Sequence, residues 1–411
     1  MRARLWALIA VAFAGCRASL PLDAPEIGVV EEPDAHVPQP WRPLTAEEQS
    51  KFDLGLATFN TEWVPANAPS GRIDGLGPLF NSQGCDACHN SRRRGRGPRG
   101  DGEAPADLVI QLGRRLRGGG IERGIDAYGH VLNTAAVPGF TREASVRIQY
   151  DGEIRILPDG TRVALRMPRY AVTDLSGPPL PANTVLMPRM PPPLHGVGLL
   201  ELVPRSTGRF GWQATEPTIA LQTASAMSRE MGLTTTLVGH IDCGHADTAC
   251  TQAPMGGTPE VEPQLFDALV FFQRLQAVPI EPARATSGER LFAAIGCTAC
   301  HSPTLSIRTP AHEVRTIHPY TDLRVHDLGS GLADRDVSGA PVLSKWRTAP
   351  LWGLNASVRS GQPLRLLHDG RARSLDEAIL WHDGEGRAAR TRFEHLTGAE
   401  RRELTTWIEG R

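Results

Sequence analysis

Apolar residues recur at intervals of three and four in several parts of the chain, and this spacing predicts helices with one buried face. Residues 217–231 and 264–276 show it most clearly, and Gly232 and Pro279 stop these two helices. A last helix runs to the chain end. The side chains that we expect to face the core from the second and the last of these helices are Leu265, Leu269, Phe272, Leu275, Leu404, Trp407 and Ile408.

Four helix starts are marked by a capping box, in which a Ser or Thr and a Glu three residues later bond to each other's backbone N–H. One opens the folded region. Another follows residues 281–285, which we interpret as a domain boundary, and two lie in the C-terminal stretch. The four pairs are Thr45 with Glu48, Thr286 with Glu289, Ser374 with Glu377 and Thr397 with Glu400.

Between residues 146 and 166 the pattern changes to an alternation of apolar and polar residues, which is typical of strands with one buried face. An Asp-Gly pair interrupts the alternation at residues 151–152, and Pro-Asp-Gly interrupts it at residues 158–160. Since Asp-Gly favours tight hairpin turns, the segment predicts a small antiparallel β-meander. We expect it to be an insertion, near residues 103–185, in a helical body.

Composition sets only broad limits. The 411 residues suffice for two or three domains with cores of their own. A formal net charge of -1 gives no basis for a nucleic-acid partner. With 42 Gly, 34 Pro and few aromatic residues, the chain fits a loop-rich protein wrapped around cofactors better than a regular sheet or barrel.

The first 44 residues predict export and a membrane anchor. Arg2 and Arg4 precede an apolar run at residues 5–15, which is too short to span a membrane and is typical of a signal peptide. The run ends in a sequence that resembles a bacterial lipoprotein cleavage box, so that Cys16 would carry the lipid. The alternative is an ordinary secretory signal with a chance cysteine. Residues 16–44, rich in Pro and acidic residues, predict a tether, and we expect a periplasmic lipoprotein.

Two copies of one motif carry the candidate chemistry. Residues 79–89 and 291–301 both read L-F-x-x-x-G-C-x-A-C-H. Two thiols three positions apart can form thioethers with the vinyl groups of one porphyrin, and the imidazole that follows can bind its iron. The motifs predict two covalently bound haem c groups, whose binding residues are Cys85, Cys88, His89, Cys297, Cys300 and His301.

With a haem motif in each half, we expect a mainly α fold. It would consist of two cytochrome c-like haem domains at residues 45–280 and 281–411, the first of them enlarged by the antiparallel β insertion. Zinc is the alternative for the cysteines, because two C-x-x-C pairs could together supply four thiolates. A zinc site has no use for a His directly after each pair, so we favour haem.

Two further cysteines, Cys243 and Cys250, remain unassigned. In an oxidising compartment they predict a disulfide that holds the loop at residues 240–251. A metal site that involves His240 and His245 is the weaker alternative.

The second axial position of each haem iron decides between electron transfer and catalysis. His382 is the best candidate to close the C-terminal one, because it shares a helical face with Leu375, Ala378 and Ile379. His368 is the runner-up. The alternative for His382 is a core histidine bonded to a backbone carbonyl.

For the first haem, the candidates are His195 and Glu201. Residues 193–196 (P-L-H-G) echo residues 350–353 (P-L-W-G), which predicts loops at corresponding places over the two haems. His195 fits the role of an iron ligand, a distal acid–base group or a structural loop residue equally well. Glu201 lies in an apolar segment, where it could pass a proton to peroxide. A helix cap or a salt bridge is the alternative role for Glu201.

Together these residues resemble the bacterial di-haem oxidoreductases, a family of peroxidase-like proteins that are also described as thiol oxidoreductases. The resemblance runs from about residue 52 to the C-terminus. More distantly, the layout resembles the di-haem cytochrome c peroxidases and the methylamine dehydrogenase maturation enzyme. The segments that carry the resemblance are residues 74–80, 192–201, 210–212, 319–323 and 346–382.

The resemblance implies a division of labour between the haems. His382, at the matching position, would be the distal ligand of the C-terminal haem. That haem would then be the electron relay. The N-terminal haem, with His89 as its proximal ligand, would be the peroxide site. A calcium ion lies between the haems in these relatives, so Ca²⁺ is a further candidate cofactor, although no ligands for it stand out in the sequence.

We therefore expect a peroxidase-like enzyme. A small electron-donor protein, a cytochrome or a cupredoxin, would reduce the C-terminal haem, and peroxide or another small substrate would react at the N-terminal haem. Two alternatives remain open. One is an electron-transfer cytochrome with both irons closed, and the other is oxygenation of an organic substrate in a channel shaped by the insertion.

Overall fold

A computed structural model describes residues 29–30, 38–66, 68, 73–205, 208–245, 247–279 and 287–411. The predicted signal peptide, Cys16, most of the tether, the boundary at residues 281–285 and Thr286 lie outside the described residues. Within the described ranges, no helix is long and apolar enough to cross a membrane.

The helices are spread along the described chain between residues 46 and 409. They are α1 (Ala46–Phe59), α2 (Cys85–His89), α3 (Val197–Glu201), α4 (Ile219–Met231), α5 (Thr248–Thr251), α6 (Pro263–Leu275), α7 (Ser287–Ala294), α8 (Leu354–Arg359), α9 (Leu375–Leu380), α10 (Arg387–Glu394) and α11 (Gly398–Glu409), with short 3₁₀ turns at Cys297–Ala299 and Gly384–Gly386.

The strands are numerous and mostly short. They are β1 (Val29–Val30), β2 (Val64–Pro65), β3 (Asp74–Leu76), β4 (Leu79–Phe80), β5 (Gly102–Glu103), β6 (Val109–Arg115), β7 (Ile121–Arg123), β8 (Val131–Leu132), β9 (Ala135–Ala136), β10 (Ser145–Ile156), β11 (Arg162–Thr173), β12 (Thr184–Arg189), β13 (Val278–Pro279), β14 (Leu305–Arg308), β15 (Val314–Ile317), β16 (Val325–Asp327), β17 (Asp334–Asp336), β18 (Pro341–Leu343) and β19 (Lys345–Arg347).

The expectation of a mainly α, cytochrome c-like fold is wrong. Helices account for 28% of the chain and strands for 23%, and the strands form several sheets. Strands also follow the second haem motif, at β14 to β19, where the sequence shows no sustained alternation. These strands are three or four residues long, which is too short to show a sustained alternation, so the local pattern does not reveal them.

The largest sheet is antiparallel and contains strands from both halves of the chain. Its order is β18-β17-β12-β6-β7, and β8 also pairs with β6. The contact between the halves is made by β12 and β17, where Val185 lies opposite Asp336 and Leu186 lies opposite Arg335. Residues on either side of the predicted domain boundary therefore share one sheet.

The predicted β-meander is one long hairpin, and β5 adds a third strand beside β10. Strands β10 and β11 pair continuously from Ser145 opposite Thr173 to Ile156 opposite Arg162. Gly152 does not turn the chain, since it lies within β10 opposite Arg166. The turn is formed only at Pro158-Asp159-Gly160, where Gly160 has a φ of 84° and the Leu157 N–H donates to the Thr161 carbonyl.

The tip of this hairpin packs into the C-terminal half. Leu157 and Leu165 belong to the same buried cluster as Phe292, Phe393 and Trp407. A second, larger cluster surrounds α1, α4 and α6 and also contains Ile307, Ile317 and Trp352 from the C-terminal half. Both cores are thus assembled from distant parts of the chain.

Two of the capping boxes form completely, at Thr45 with Glu48 and at Thr397 with Glu400. At α9 only half of the box forms. Ser374 accepts a hydrogen bond from the Glu377 N–H, but the Glu377 carboxylate bonds to the backbone N–H groups of Arg166 and Arg373 instead. This carboxylate therefore ties α9 to strand β11.

Candidate haem cavity

Both C-x-x-C-H motifs line one internal cavity of about 620 Å³. The first motif forms the short helix α2, and the second forms a 3₁₀ turn that ends just before Cys300. None of their four cysteines is in a disulfide. Over the described ranges, no three His, Cys, Asp or Glu side chains gather so that they could hold a metal ion, so the two cysteine pairs do not form the zinc site considered above.

The histidines of the two motifs are held in the same way. Nδ1 of His89 lies 3.0 Å from the Pro192 carbonyl, and Nδ1 of His301 lies 2.9 Å from the Tyr320 carbonyl. Each carbonyl fixes Nδ1 as the protonated nitrogen and leaves Nε2 with a lone pair. Burial lowers the pKa of both imidazoles to about 4, so both are neutral, as iron ligation requires.

His382 lies in the wall of the same cavity as His301. It follows the end of α9, and its Nδ1 is 2.8 Å from the Ala378 carbonyl one turn earlier. This bond again leaves Nε2 free, and burial lowers the pKa of the imidazole. The chemistry of His301 and His382 fits a pair of axial ligands.

The runner-up, His368, also lines the cavity but has a different environment. Its ring stacks on Trp346 at a centroid distance of 3.7 Å and an interplanar angle of 10°. Nε2 lies 3.9 Å from Asp369, and burial lowers the pKa of the imidazole well below its ordinary value. The stacking orients this ring parallel to the indole.

His195 is only 2% exposed and lines the cavity, yet neither of its ring nitrogens has a hydrogen-bond partner among the described residues. Burial, with smaller effects from Arg92 and Arg93, lowers its pKa to about 3. A buried imidazole without a partner is costly, and a bound ligand would supply one. This observation fits a cofactor or substrate contact at His195 better than a purely structural role.

Glu201 is engaged elsewhere. Its Oε1 accepts a hydrogen bond from the Ile219 N–H at 2.8 Å, and its Oε2 accepts one from Arg274 Nε at 2.6 Å. Glu201 is absent from the described residues that line the cavity. The carboxylate therefore joins the start of α4 to the end of α6. This is the salt-bridge role that was the alternative for Glu201.

A carboxylate that the sequence did not single out does line the cavity. Glu230 lies in the last turn of α4, and burial raises its pKa to about 7. Its backbone carbonyl accepts hydrogen bonds from the N–H groups of Asn81 and Ser82, which lie in the first motif just before Cys85. Burial, and then the charge of Glu230, raise the pKa of Cys85 and Cys88 to about 12, so the carboxyl group lies near the thiols.

The two walls of the cavity are related by an internal repeat. Gly196 and Gly353 open α3 and α8 with φ angles of 67° and 73°. The loops also pack on each other, since a Cβ on Gly196 would lie 2.7 Å from Trp352 and one on Gly353 would lie 3.4 Å from His195. The echoed P-L-H-G and P-L-W-G segments thus take corresponding positions.

The repeat extends into the next helix. Phe210 forms a bridge to Glu216, and Leu366 forms the same bridge to Ala372. Two residues after each bridge come the N-caps Thr218 and Ser374, which open α4 and α9. In register with these caps, the position of His382 is occupied by Ala226.

Ala226 lines the cavity, and Gln222 and Glu230 flank it one turn before and after on the same face of α4. A methyl group cannot bind iron. The repeat therefore contributes an imidazole on the side of the second motif and no ligand from the matching helix on the side of the first motif.

Cys243 and Cys250 are joined by a disulfide with a Cα–Cα distance of 5.9 Å. The bond closes the loop that contains Gly244, which packs against the backbone of Ala127. His245 on this loop is exposed, and its N–H donates to the Asp126 carbonyl.

The model of a protein family described as "Di-haem oxidoreductase, putative peroxidase" matches residues 198–410, which is more than half of the chain. The chain belongs to this di-haem oxidoreductase family. The match includes α4, the second motif and His382. Haem is therefore the cofactor class that the family indicates, and the donor set of neutral imidazoles, paired thiols and apolar walls fits it.

No curated protein matches the chain. Among solved structures, the chain is similar to a hydrazine synthase from Kuenenia stuttgartiensis pressurised with 20 bar xenon. The identity is 13%, the comparison covers 100% of both chains, and the TM-score is 0.38. A score this low supports no argument about fold or function.

Proposed function

We propose that this di-haem oxidoreductase is a peroxidase with two unlike sites, a closed electron-transfer site at Cys297, Cys300 and His301 and an open catalytic site at Cys85, Cys88 and His89. The observation that carries the proposal is the replacement of His382 by Ala226 between the two repeats. Covalently bound haem would supply redox-active iron, which reacts with peroxide only where an axial position is open.

At the C-terminal site the chain offers two neutral imidazoles. His301 and His382 each have Nδ1 bonded to a backbone carbonyl and Nε2 free. Two strong ligands close an iron against peroxide and suit it for passing electrons. This pair supports a relay function for the second motif.

At the N-terminal site the chain offers a group that can move a proton. Glu230 shares the cavity-lining face of α4 with Ala226, and its pKa of about 7 allows the carboxyl group to gain or lose a proton near neutral pH. His195, with a pKa of about 3, remains neutral and can accept a hydrogen bond from a bound substrate. We assign to Glu230 the transfer of a proton to the departing oxygen of peroxide.

Electron paramagnetic resonance of the oxidised protein tests the two-site proposal. We expect one low-spin signal from the C-terminal haem and a second haem whose signal changes with peroxide. Ala226→His should convert the first haem to low spin and abolish peroxide turnover, and His382→Ala should convert the second to high spin. Two low-spin signals in the unaltered protein, both unaffected by peroxide and cyanide, would instead indicate an electron-transfer cytochrome.

We further propose that the protein works in the periplasm, attached to a membrane through a lipid on Cys16, and receives electrons from a small cytochrome or cupredoxin. The disulfide between Cys243 and Cys250 supports an oxidising compartment. Cys16→Ser should release the protein from the membrane fraction without changing its haem spectrum. Unchanged membrane association would contradict the lipid anchor.

A further inference from the structure

Two cavity-lining arginines have no acidic partner. Arg94 and Arg347 both line the cavity, and over the described ranges neither forms an ion pair with a carboxylate. Burial lowers the pKa of each guanidinium to about 10, and no acidic residue is among the causes that oppose this shift. Each therefore brings a positive charge into the interior without a protein counter-charge.

Arg94 follows the first motif by five residues and makes few contacts. Its Nη1 donates to the Leu367 carbonyl at 3.3 Å, and its guanidinium lies 5.2 Å from the centroid of the Trp212 ring. In the part of the chain that the structure describes, its other guanidinium N–H groups have no protein acceptor.

Arg347 contacts the backbone of Gly211 and Trp212. Its Nε donates to the Gly211 carbonyl at 3.0 Å and its Nη1 to the Thr348 carbonyl at 3.4 Å, while its backbone N–H donates to the Trp212 carbonyl. The residue is 8% exposed. No described acceptor takes a hydrogen bond from its Nη2.

Arg189, a third arginine that lines the cavity, is paired with a carboxylate. Arg189 forms two hydrogen bonds to Asp334, at 2.8 and 2.7 Å, and both side chains are buried. Arg347 is buried and Arg94 is half-buried, and an unmatched charge there is costly because burial removes hydration without returning a counter-ion. A bound ligand that carries carboxylates would supply the missing counter-charges at Arg94 and Arg347.

We propose that Arg94 and Arg347 bind the haem propionates, Arg94 those of the N-terminal haem and Arg347 those of the C-terminal haem. The inference rests on the proposal above that two haems occupy the cavity. The fork of a guanidinium matches a carboxylate with two parallel hydrogen bonds. Arg94 belongs to the segment that directly follows His89. Arg347 precedes Thr348, whose carbonyl accepts from Thr321, the neighbour of the residue that holds His301.

Redox titration of the haem-loaded protein, followed by its visible spectrum, tests each assignment separately. A buried cation disfavours the oxidised, more positive iron, so its removal should lower the midpoint potential of the haem it serves. Arg94→Gln should lower the potential of the peroxide-reactive haem only, and Arg347→Gln that of the low-spin haem only. Arg94→Lys and Arg347→Lys keep the charge and should recover most of each shift.

Arg114→Gln is the matched control, because it removes one arginine that is paired with Glu122 and lies outside the cavity lining. It should leave both potentials unchanged. If Arg94→Gln and Arg347→Gln hold both haems at unchanged potentials, the propionate assignment is wrong while the two-site proposal stands. Where a Gln variant does not load haem, the Lys variant should restore loading because it keeps the charge, and a Lys variant that loads no more haem than the Gln variant overturns the assignment. A wild-type protein without two haems would overturn the proposed function itself.

Discussion

At the scale of single residues, the chemistry depends on which buried polar groups lack partners. His195 was recognisable from its P-L-H-G sequence, and its unpartnered nitrogens make it a candidate for ligand contact. Glu230 was missed because, beside Arg229 at the end of a helix, it reads as an ordinary surface charge. The available signal was the count from the N-cap, which puts Glu230 one turn beyond the residue that matches His382.

The proton transfer that we propose for Glu230 leads to a kinetic prediction. Glu230→Gln keeps the size of the side chain and removes its proton, so kcat for peroxide reduction should fall by about 100-fold, the usual effect of losing a general acid–base group. Steady-state assays with a reduced donor measure it. Glu201→Gln is the control and should change kcat much less, because Glu201 does not line the cavity.

Glu143 predicts how stability depends on pH. It is 4% exposed, its carboxylate accepts hydrogen bonds from Asn133, and burial raises its pKa from about 4.5 to about 8. The folded state therefore holds this proton when the unfolded state has released it. As a result, the free energy of unfolding should fall as the pH rises from about 5 to about 8.

Denaturant unfolding of Glu143→Gln at both pH values checks this. A neutral amide cannot release the proton, so the variant should lose less stability than the wild type between pH 5 and pH 8. An equal loss in both proteins would show that Glu143 is not the group responsible.

At the scale of elements, the sequence identified most helices but only part of the β structure. The helices α4, α6 and α11 follow from their apolar spacing and stop signals, because these signals are local. The Asp-Gly pair at residues 151–152 wrongly predicted a turn. The chain stays extended there, and the continuous pairing of β10 with β11 brings the hairpin tip to the C-terminal core. The packing of Leu157 and Leu165 in the C-terminal cluster therefore favours a strand over a turn at Gly152.

The hairpin tip should stabilise the whole protein. Leu165 is 2% exposed and packs in the C-terminal cluster, so Leu165→Ala should lower the free energy of unfolding by about 2–4 kcal/mol, through lost burial and a residual cavity. Ile156→Ala removes a side chain that is 62% exposed near the same tip and should cost under about 0.5 kcal/mol. Chemical denaturation compares the two, and similar losses would argue against this packing.

At the scale of the whole molecule, the two halves form one structure. The sheet pairing between β12 and β17 and the buried pair Arg189–Asp334 connect residues about 145 positions apart. Repetition of the haem motif suggested two haem domains, but a sequence repeat says nothing about how its copies share a core. The mixed cores and the shared cavity could be recognised only in three dimensions.

The Arg189–Asp334 pair provides a test of this connection. Asp334→Asn leaves Arg189 buried without its counter-charge and should destabilise the protein by about 3–5 kcal/mol. The double variant Arg189→Met with Asp334→Leu removes both charges and should recover most of that loss, since apolar replacements of buried ion pairs are often neutral. Thermal unfolding of the two variants distinguishes them, and equal destabilisation would show that the charge itself does not matter.

The shared cavity also determines when the first haem site can close during synthesis. Its walls include Arg347, Trp352 and residues of α9 and α10, which are made long after Cys85, Cys88 and His89. A chain cut short before Arg347 would contain Cys85, Cys88 and His89 but would lack this part of the cavity wall.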